Sequence, residues 1–210
     1  MDVSVIIVNW NAGEALEACV QSVVQELQTL HTLESLPVQK DGQESLGSEC
    51  LIIDNGSEPG GIARLRDMFP QVSIFVNADN LGFGCAANQG FARSRGRYVL
   101  LLNPDAELTP GSLRYLIDRL DAQPEAAILG PRVINTDGTN QGSARTFPSL
   151  LTAFFGRNTF LTNYFLGNRM SRRQTPGFDP CLTQPQSVDW VSGACMLIRR
   201  QAIEAVGGFD

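Results

Sequence analysis

Histidine is nearly absent from this 210-residue chain, in which His31 is the only one. A catalytic mechanism built on histidine, or a metal site with several histidine ligands, is therefore not expected. Cysteine is present, but the five cysteines are an odd number, lie far apart and form no C-x-x-C pair. This spacing favours neither a disulfide framework nor a zinc site, and we interpret the cysteines as reduced thiols of the core.

Long apolar runs and an excess of positive charge are also missing. No run approaches the roughly 18 residues that would span a bilayer, and a strand-like segment stands where a signal sequence would begin. We therefore expect a soluble, cytoplasmic protein. The net charge is −6. Because affinity for duplex nucleic acid comes mostly from neutralising its phosphates, nucleic acid is not an expected partner.

The positive charge that exists is concentrated in one region. Residues 1–140 have a net charge of −9, whereas residues 141–200 have a net charge of +5. Within the latter, residues 150–173 combine four arginines with many phenylalanines and leucines. This composition fits a segment that contacts the inner face of an anionic plasma membrane. It also fits apolar residues that cover a sheet and are bordered by a solvated basic rim.

Apolar segments typical of buried strands alternate with amphipathic helical segments along most of the chain. Strands are predicted at residues 3–8, 50–53, 72–76, 98–102, 127–134 and 188–198, and helices at residues 16–27, 62–69, 86–93, 109–120 and 200–206. Asn11 is the expected N-cap of the first helix and Thr109 that of the fourth, while residues 29–49 are expected to form a long surface loop. This order predicts an α/β fold, with a doubly wound, mostly parallel sheet and flanking helices.

Polar and glycine-rich segments follow the predicted strands at the edge where such sheets bind ligands. The segments are Val8-Asn9-Trp10-Asn11, Asp54-Asn55-Gly56-Ser57, the loop from Asn80 to Asn88, and Asn103-Pro104-Asp105. Together they offer an aromatic face for a base, carboxylates for a base, a ribose or a divalent cation, and glycines that permit close approach of a backbone. This set predicts a site for a nucleoside diphosphate, although each segment alone could be a turn, a loop start or core packing.

The order of these segments resembles bacterial family 2 glycosyltransferases of the GT-A fold, especially rhamnosyltransferase-like members. The resemblance lies in VSVIIVNWN, LIIDNGS, NLGFGCAANQG, LLLNPDAEL, VDWVSGACMLIRR and GGFD, and it covers nearly the whole chain apart from residues 29–49. It implies a GT-A type, Rossmann-like sheet in a single domain, with a nucleotide-binding half at about residues 1–125 and an acceptor-side half at about residues 126–210.

The same resemblance implies an activity in polysaccharide or cell-wall synthesis. A sugar would pass with inversion from a nucleotide diphosphate to a hydroxyl of a glycan or lipid-linked acceptor, assisted by Mg2+ or Mn2+. The rhamnosyltransferase-like members point to rhamnose, from dTDP-rhamnose, as this sugar. Val8 and Trp10 would flank the nucleobase and Asp54 would hydrogen-bond it. The implied donor-binding set is Val8, Asn9, Trp10, Asp54, Asn80, Gly82, Phe83, Gly84, Asn88, Asn103 and Asp105.

Two further assignments come from the resemblance. Asp105 is the implied metal ligand, because Asn103-Pro104-Asp105 takes the place of the family's Asp-x-Asp motif with Asn103 in the first acidic position. Trp190, Ser192 and Gly193 are implied to lie on the sugar and acceptor side. The family's usual catalytic base lies in an acidic motif beyond GGFD, which leaves Asp189 as a secondary candidate in this chain.

Two alternatives to a complete glycosyltransferase remain. One is a nucleotide-sugar-binding fragment without turnover, since the chain stops at Asp210 and we expect it to bind a donor but transfer sugar poorly. The other is an NAD(P)-dependent oxidoreductase, since residues 82–87 match G-x-G-x-x-[GA]. In that fingerprint the strand runs directly into the first glycine, whereas residues 77–81 intervene here, so the pattern favours the glycosyltransferase.

Overall fold

The computed structural model describes residues 2–34, 47–58, 60–145 and 185–210. Helices and strands alternate through most of these ranges, as the apolar pattern predicted. In chain order the elements are β1 (Val3–Asn9), α1 (Glu14–Glu34), β2 (Ser48–Asp54), α2 (Gly61–Met68), β3 (Ser73–Val76), α3 (Phe83–Arg93), β4 (Tyr98–Leu102), α4 (Ser112–Asp121), β5 (Ile128–Leu129), β6 (Ala144–Arg145), β7 (Trp190–Val191), β8 (Cys195–Arg199) and α5 (Arg200–Val206).

Six of the strands form one sheet in the order β3-β2-β1-β4-β8-β5. The pairs β3–β2, β2–β1 and β1–β4 are parallel, and β8 runs antiparallel to both β4 and β5. Every residue of β1 and β4 is buried, as expected for central strands covered on both faces. The predicted α/β fold with a mostly parallel sheet and flanking helices is confirmed.

Side chains of β1 alternate between the two faces of the sheet. Val5 and Ile7 belong to the core cluster that contains the apolar sides of α1 and α4. Ile6 points to the opposite face, where α3 packs. Gly90 allows this helix to lie close to the strand, because a Cβ atom at Gly90 would be 2.5 Å from Ile6 Cγ2. The start of α3 is therefore held near the carboxyl ends of β1 and β2.

Two predicted strands differ from the observed ones. Residues 188–198 form two strands, β7 and β8, because the chain leaves the extended conformation at residues 192–194, where the Ala194 carbonyl accepts a hydrogen bond from Asn103 N–H. The strand predicted at residues 127–134 is reduced to β5, which ends before Gly130 and Pro131. Proline has no N–H to continue a ladder of hydrogen bonds, so the sequence contains a reason for the early end.

Both predicted N-caps are wrong. Asn11 has a φ of 54° and its side chain accepts a hydrogen bond from Glu58 N–H, while α1 begins three residues later and runs on to Glu34, past the predicted start of the loop. The N-terminus of α4 follows Gly111, which has a φ of 79°, and lies beyond Thr109. The part of the 29–49 loop at residues 35–46 lies outside the described residues, as do residues 150–173.

The interpretation of the cysteines as core thiols is correct for three of them. Cys19, Cys50 and Cys195 are buried and free, whereas Cys85 is exposed in the first turn of α3. Cys181 lies outside the described residues. The interpretation fails at Cys85 because the buried side of α3 consists of Ala86, Ala87, Gly90 and Phe91, and Cys85 lies outside it.

The chain divides into two compact units. The first consists of Met1–Leu129 and Gly193–Asp210 and contains the six-stranded sheet with its helices. The second, Gly130–Ser192, contains the short antiparallel pair β6–β7 and a bridge between Ile134 and Asn140. The expected single domain with halves near residue 125 stays a prediction. Among the helices described, none is both long and apolar enough to span a membrane.

Candidate functional site

A buried polar cluster forms where β1 and β2 end side by side. Asn9 and Asp54 are the last residues of these strands and are partners in the parallel register. Asn9 Nδ2 donates to Asp54 Oδ1 at 2.6 Å and to Ser57 Oγ at 3.0 Å. Ser57 in turn donates its hydroxyl to Asp54 Oδ1 at 2.6 Å and its N–H to Asp54 Oδ2 at 3.2 Å. Asp54 is only 1% exposed, so its carboxylate is held in one orientation by neutral donors.

Asn55 fixes the loop that joins β3 to α3. Its side chain is 2% exposed and uses both ends of the amide. Nδ2 donates to Asn80 Oδ1 at 2.7 Å and to the Gly82 carbonyl at 3.3 Å, while Oδ1 accepts from Asn77 Nδ2 at 3.2 Å and from Leu81 N–H at 3.0 Å. The loop therefore depends on a side chain from the neighbouring strand.

The glycine after Asn55 is required by a close approach of two backbones. Gly56 has a φ of 76°, and a Cβ atom there would lie 2.8 Å from the carbonyl carbon of Asp79. Asn55 lies in one of the segments from which the sequence predicted the site, but it was not among the residues assigned to the donor. The signal that could have identified it is an asparagine that directly follows a buried strand and precedes a glycine, since such an amide has backbone groups of a neighbouring loop within reach.

The exposed side of this edge is aromatic. Trp10 follows β1 and is 58% exposed, and Phe83 at the start of α3 is also exposed. Val8, which was assigned to the same surface, is buried within β1. Gly82, with a φ of 83°, precedes the first turn of α3, and its N–H donates to Asn80 Oδ1 at 2.9 Å. Residues 77–82 thus form a loop between β3 and α3, unlike the direct strand-to-glycine junction of a dinucleotide fingerprint.

Asn88 holds the GGFD segment against α3. Its Nδ2 donates to the Phe209 carbonyl at 2.7 Å, and its Oδ1 accepts from Phe209 N–H at 2.9 Å. Gly208 passes so close that a Cβ atom there would overlap Asn88 Oδ1. The Phe209 ring stacks on Phe91, with 5.6 Å between the ring centroids. The amide of Asn88 is therefore engaged within the chain, and its assignment to the donor stays a prediction.

The terminal segment also approaches the start of α3. A Cβ atom at Gly84 would be 3.2 Å from the Asp210 carbonyl oxygen, so this glycine leaves room for the chain that follows GGF. Phe83 contacts the same segment, with 6.1 Å between its ring centroid and that of Phe209. Phe83 and Gly84 thus border the GGFD segment, and their contact with a donor stays a prediction.

Asp105 is an exposed carboxylate just beyond β4. It makes no hydrogen bond or ion pair with any residue that the structure describes. Asn103 opens the turn that carries it, with the Asn103 carbonyl accepting from Ala106 N–H at 3.2 Å. Within residues 2–34, 47–58, 60–145 and 185–210, no group of three His, Cys, Asp or Glu side chains could hold a metal ion. Asp105 is therefore a carboxylate at this edge that is available to a cation.

The residues expected on the acceptor side belong to different units. Trp190 and Ser192 lie in the second unit and line a pocket of about 380 Å³, whose other lining residues are Val133, Asn135, Gln141, Gly142 and Ser143. Gly193 belongs to the first unit, where a Cβ atom would make an ordinary contact with Met196 Cε at 3.7 Å. Asp189, the secondary candidate for the base, is exposed directly before β7.

Comparison with known proteins identifies relatives of this chain. The model of "Glycosyl transferase family 2" matches residues 4–207. An N-acetylglucosaminyl-diphospho-decaprenol L-rhamnosyltransferase of Mycobacterium tuberculosis is 34% identical over 179 residues, which cover 76% of this chain and 54% of the relative. The succinoglycan biosynthesis protein ExoO of Rhizobium meliloti is 24% identical over 226 residues, covering 99% and 60%. This chain spans little more than half the length of these relatives.

Solved structures of other proteins share the fold of this chain. A mannosyltransferase, PcManGT from Pyrobaculum calidifontis in complex with GDP-Man and Mn2+, matches with a TM-score of 0.57 at 14% identity, covering 99% of this chain and 47% of that one. S. aureus TarS 1-349 in complex with UDP-GlcNAc matches with a TM-score of 0.55 at 14% identity, covering 99% and 48%. At such identities the likeness concerns the fold, which is GT-A-like. With a family match over nearly the whole sequence, the chain belongs to glycosyl transferase family 2.

Proposed function

We propose that this chain binds a nucleotide diphosphate sugar and serves an inverting transfer of that sugar to a hydroxyl group of a glycan or lipid-linked acceptor. The observation that carries the proposal is the hydrogen-bonded edge of β1 and β2, where Asn9, Asp54 and Ser57 are fixed beside the exposed Trp10. Ligands of parallel α/β sheets bind at this edge.

The nucleobase would lie between Trp10 and Asp54. Asp54 Oδ1 already accepts two hydrogen bonds, from Asn9 and from the Ser57 hydroxyl, whereas Oδ2 accepts one, from Ser57 N–H. Since each carboxylate oxygen can accept about two hydrogen bonds, Oδ2 is the atom that can accept from an N–H of the base. Trp10 would stack on the ring of the base, and the buried Val8 would support it from the strand.

The sugar and diphosphate would lie along the loop that Asn55 fixes. Asn80 Oδ1 is used within the loop, but Asn80 Nδ2 donates to no described residue and can bind a ribose hydroxyl or a phosphate oxygen. The N-terminus of α3 follows directly after Gly82. Free backbone N–H groups and the helix dipole favour a negatively charged group at this position.

Asp105 is the proposed ligand of Mg2+ or Mn2+. Its carboxylate is exposed and unpaired among the described residues, and carboxylate oxygen is a suitable ligand for these ions. A bound divalent ion stabilises the negative charge that develops on a diphosphate leaving group. Because Asp105 is a single carboxylate, phosphate oxygens of the donor would have to supply further ligands. Metal and nucleotide are therefore expected to bind together.

The donor sugar is proposed from the similar sequences. A relative at 34% identity is named as a rhamnosyltransferase that acts on a decaprenol-linked N-acetylglucosamine, so dTDP-rhamnose and a lipid-linked acceptor are the first compounds to test. No residue is assigned as the base for the acceptor hydroxyl, and Asp189 remains the secondary candidate. A chain that binds donor without turnover is the second candidate, and an assay for nucleotide release with and without acceptor distinguishes it.

The test is calorimetric titration with dTDP, UDP and GDP, with and without Mn2+. Asp54→Ala should weaken binding of the preferred nucleotide by about 10- to 100-fold, because it removes the acceptor for the base and one hydrogen-bond partner of Asn9 and of Ser57. Asp105→Ala should weaken binding only when Mn2+ is present. Asp67→Ala, which removes an exposed carboxylate of α2, is the control and should change nothing. Equal affinities of Asp54→Ala and the parent, both folded by circular dichroism, would refute the proposed base site.

A further inference from the structure

The loop between β4 and α4, residues 103–111, carries Asp105 and is held through its backbone. None of its side chains makes a hydrogen bond or an ion pair with the part of the chain that the structure describes. The carboxylate of Asp105 therefore has no partner that fixes it directly, and its position depends on the backbone of the loop. The groups that bind this backbone consequently determine where the carboxylate lies.

Helix α1 supplies three of these groups from one of its faces. Cys19, Ser22 and Glu26 follow one another at intervals of three and four positions, so they lie along the same side of the helix. The Cys19 thiol donates to the carbonyl of the first loop residue at 3.5 Å, and Ser22 Oγ accepts from Leu108 N–H at 3.0 Å. The Glu26 carboxylate accepts from the N–H of the last loop residue at 2.7 Å. The start, the middle and the end of the loop are thus bound to one helix.

The hydroxyl of Ser22 is itself fixed in direction. Its side chain is buried, and Oγ donates its single proton to the Cys19 carbonyl at 2.7 Å. The oxygen is therefore left to act as an acceptor, and it accepts from Leu108 N–H. Asp105 lies between the anchored first residue of the loop and Leu108. The bond to Ser22 is thus the anchor that follows Asp105 most closely in the chain.

We propose that Ser22 is a positioning residue for the divalent-ion site, because its bond to Leu108 keeps residues 103–108 in the conformation that presents Asp105 to the ion. The inference rests on the proposed function, in which Asp105 is the ligand of Mg2+ or Mn2+. A loop that is fixed before the ion arrives does not have to be ordered during binding, which lowers the free-energy cost of binding. Loss of the bond should therefore weaken the contribution of the metal and leave the contacts of the nucleobase with Asp54 unchanged.

The test compares Ser22→Ala with Ser94→Ala. Ser94 is a matched control, because it is also buried, donates its hydroxyl to the carbonyl three positions earlier at 3.0 Å and accepts one N–H, from Arg200 at 2.8 Å. It precedes β4, whereas Asp105 follows this strand, so the two residues lie at opposite ends of it. Both substitutions remove the same chemical group and should lower the midpoint of urea denaturation to a comparable extent.

The readout is the factor by which Mn2+ tightens binding of dTDP, UDP or GDP, whichever the parent binds best, measured by calorimetry with and without the ion. Ser22→Ala should lower this factor by about three- to tenfold and leave the affinity without Mn2+ unchanged. Ser94→Ala should keep the full factor. A full factor in Ser22→Ala would overturn the proposal and show that the packing of Leu108 against the core holds the loop. Equal reductions in both variants would overturn it as well, since a general loss of stability would then be the cause.

Two further measurements separate this inference from the proposed function. If Asp105→Ala loses the effect of Mn2+ and Ser22→Ala keeps it, the metal site stands and the positioning role fails. If Mn2+ has no effect on the parent, the metal site is refuted and the role of Ser22 falls with it. Hydrogen exchange without any ligand tests the contact alone. Residues 103–108 should exchange faster in Ser22→Ala than in the parent and in Ser94→Ala, and equal exchange would contradict the proposal.

Discussion

At the scale of single residues, Asn55 holds the loop that borders the proposed nucleotide site. Its amide makes four hydrogen bonds to the loop of residues 77–82. Asn55→Ala should lower the free energy of unfolding by about 1–3 kcal/mol, because buried polar groups lose their partner. It should also weaken nucleotide binding, since the loop before α3 loses its support. Urea denaturation and calorimetry measure the two effects.

The control for Asn55 is Asn77→Ala. It removes one bond of the set, Asn77 Nδ2 to Asn55 Oδ1, and leaves the other three. Its effect on stability and on nucleotide affinity should be a minor part of that of Asn55→Ala. If Asn55→Ala and Asn77→Ala lower the nucleotide affinity by the same factor, the hydrogen bonds of Asn55 do not position the loop.

Some contacts of the proposed nucleotide site could be predicted from the sequence. Asn9 and Asp54 end apolar segments, and the carboxyl ends of neighbouring parallel strands meet at one edge, so their proximity was predictable. The bond between Asn88 and Phe209 was not, because the two residues are 121 positions apart and no periodicity connects them.

At the scale of elements, a side chain of α1 caps α4. The buried Glu26 carboxylate accepts from Gly111 N–H at 2.7 Å and from Leu113 N–H at 2.9 Å. Glu26→Ala should lower the free energy of unfolding by about 1–2 kcal/mol, the usual cost of losing an N-cap. Thermal or urea denaturation measures this cost.

Glu17→Ala is the control on the same helix. Glu17 pairs with the exposed Arg64 at 3.1 Å, and an exposed ion pair contributes about 0–1 kcal/mol. Its replacement should therefore be less costly than that of Glu26. Equal losses would show that α4 does not depend on the carboxylate of α1.

The same cap explains a limit of sequence reasoning about elements. The apolar stripe of α4 was recognised, because Leu113, Leu116, Ile117 and Leu120 are spaced as one buried helical face. Its start was misplaced because the capping carboxylate comes from a residue 85 positions earlier in the chain. The direction of β8 was equally hidden, since the apolar pattern of a strand is the same whether it runs parallel or antiparallel to its neighbour.

At the scale of the whole molecule, buried thiols make stability depend on pH. Burial raises the pKa of Cys50 and of Cys195 from an ordinary 9.0 to about 12, and it also raises the pKa of Cys19. Well below pH 9 these thiols are neutral in both states. As pH rises through 9, the unfolded chain releases protons that the folded chain retains, so the free energy of unfolding falls, by at most about 1.4 kcal/mol per pH unit for each thiol.

Urea denaturation between about pH 8 and about pH 10 tests this dependence. The chain with Cys50→Ala and Cys195→Ala should be less stable at every pH because of the lost packing, yet its stability should fall less steeply with pH than that of the parent. Cys85→Ala removes an exposed thiol and should leave the slope unchanged. Parallel slopes in the parent and the double variant would contradict the assignment of the effect to the thiols.

The position of β8 in the sheet affects how the nascent chain folds during translation. This strand lies between β4 and β5, although it is translated long after both. Until residues 195–199 leave the ribosome, β4, which is wholly buried in the folded protein, has an unpaired edge, and such edges attract strands of other chains. The six-stranded sheet can be completed only late in synthesis. Aggregation of the nascent protein is therefore expected mainly while Gly130–Ser192 is being added.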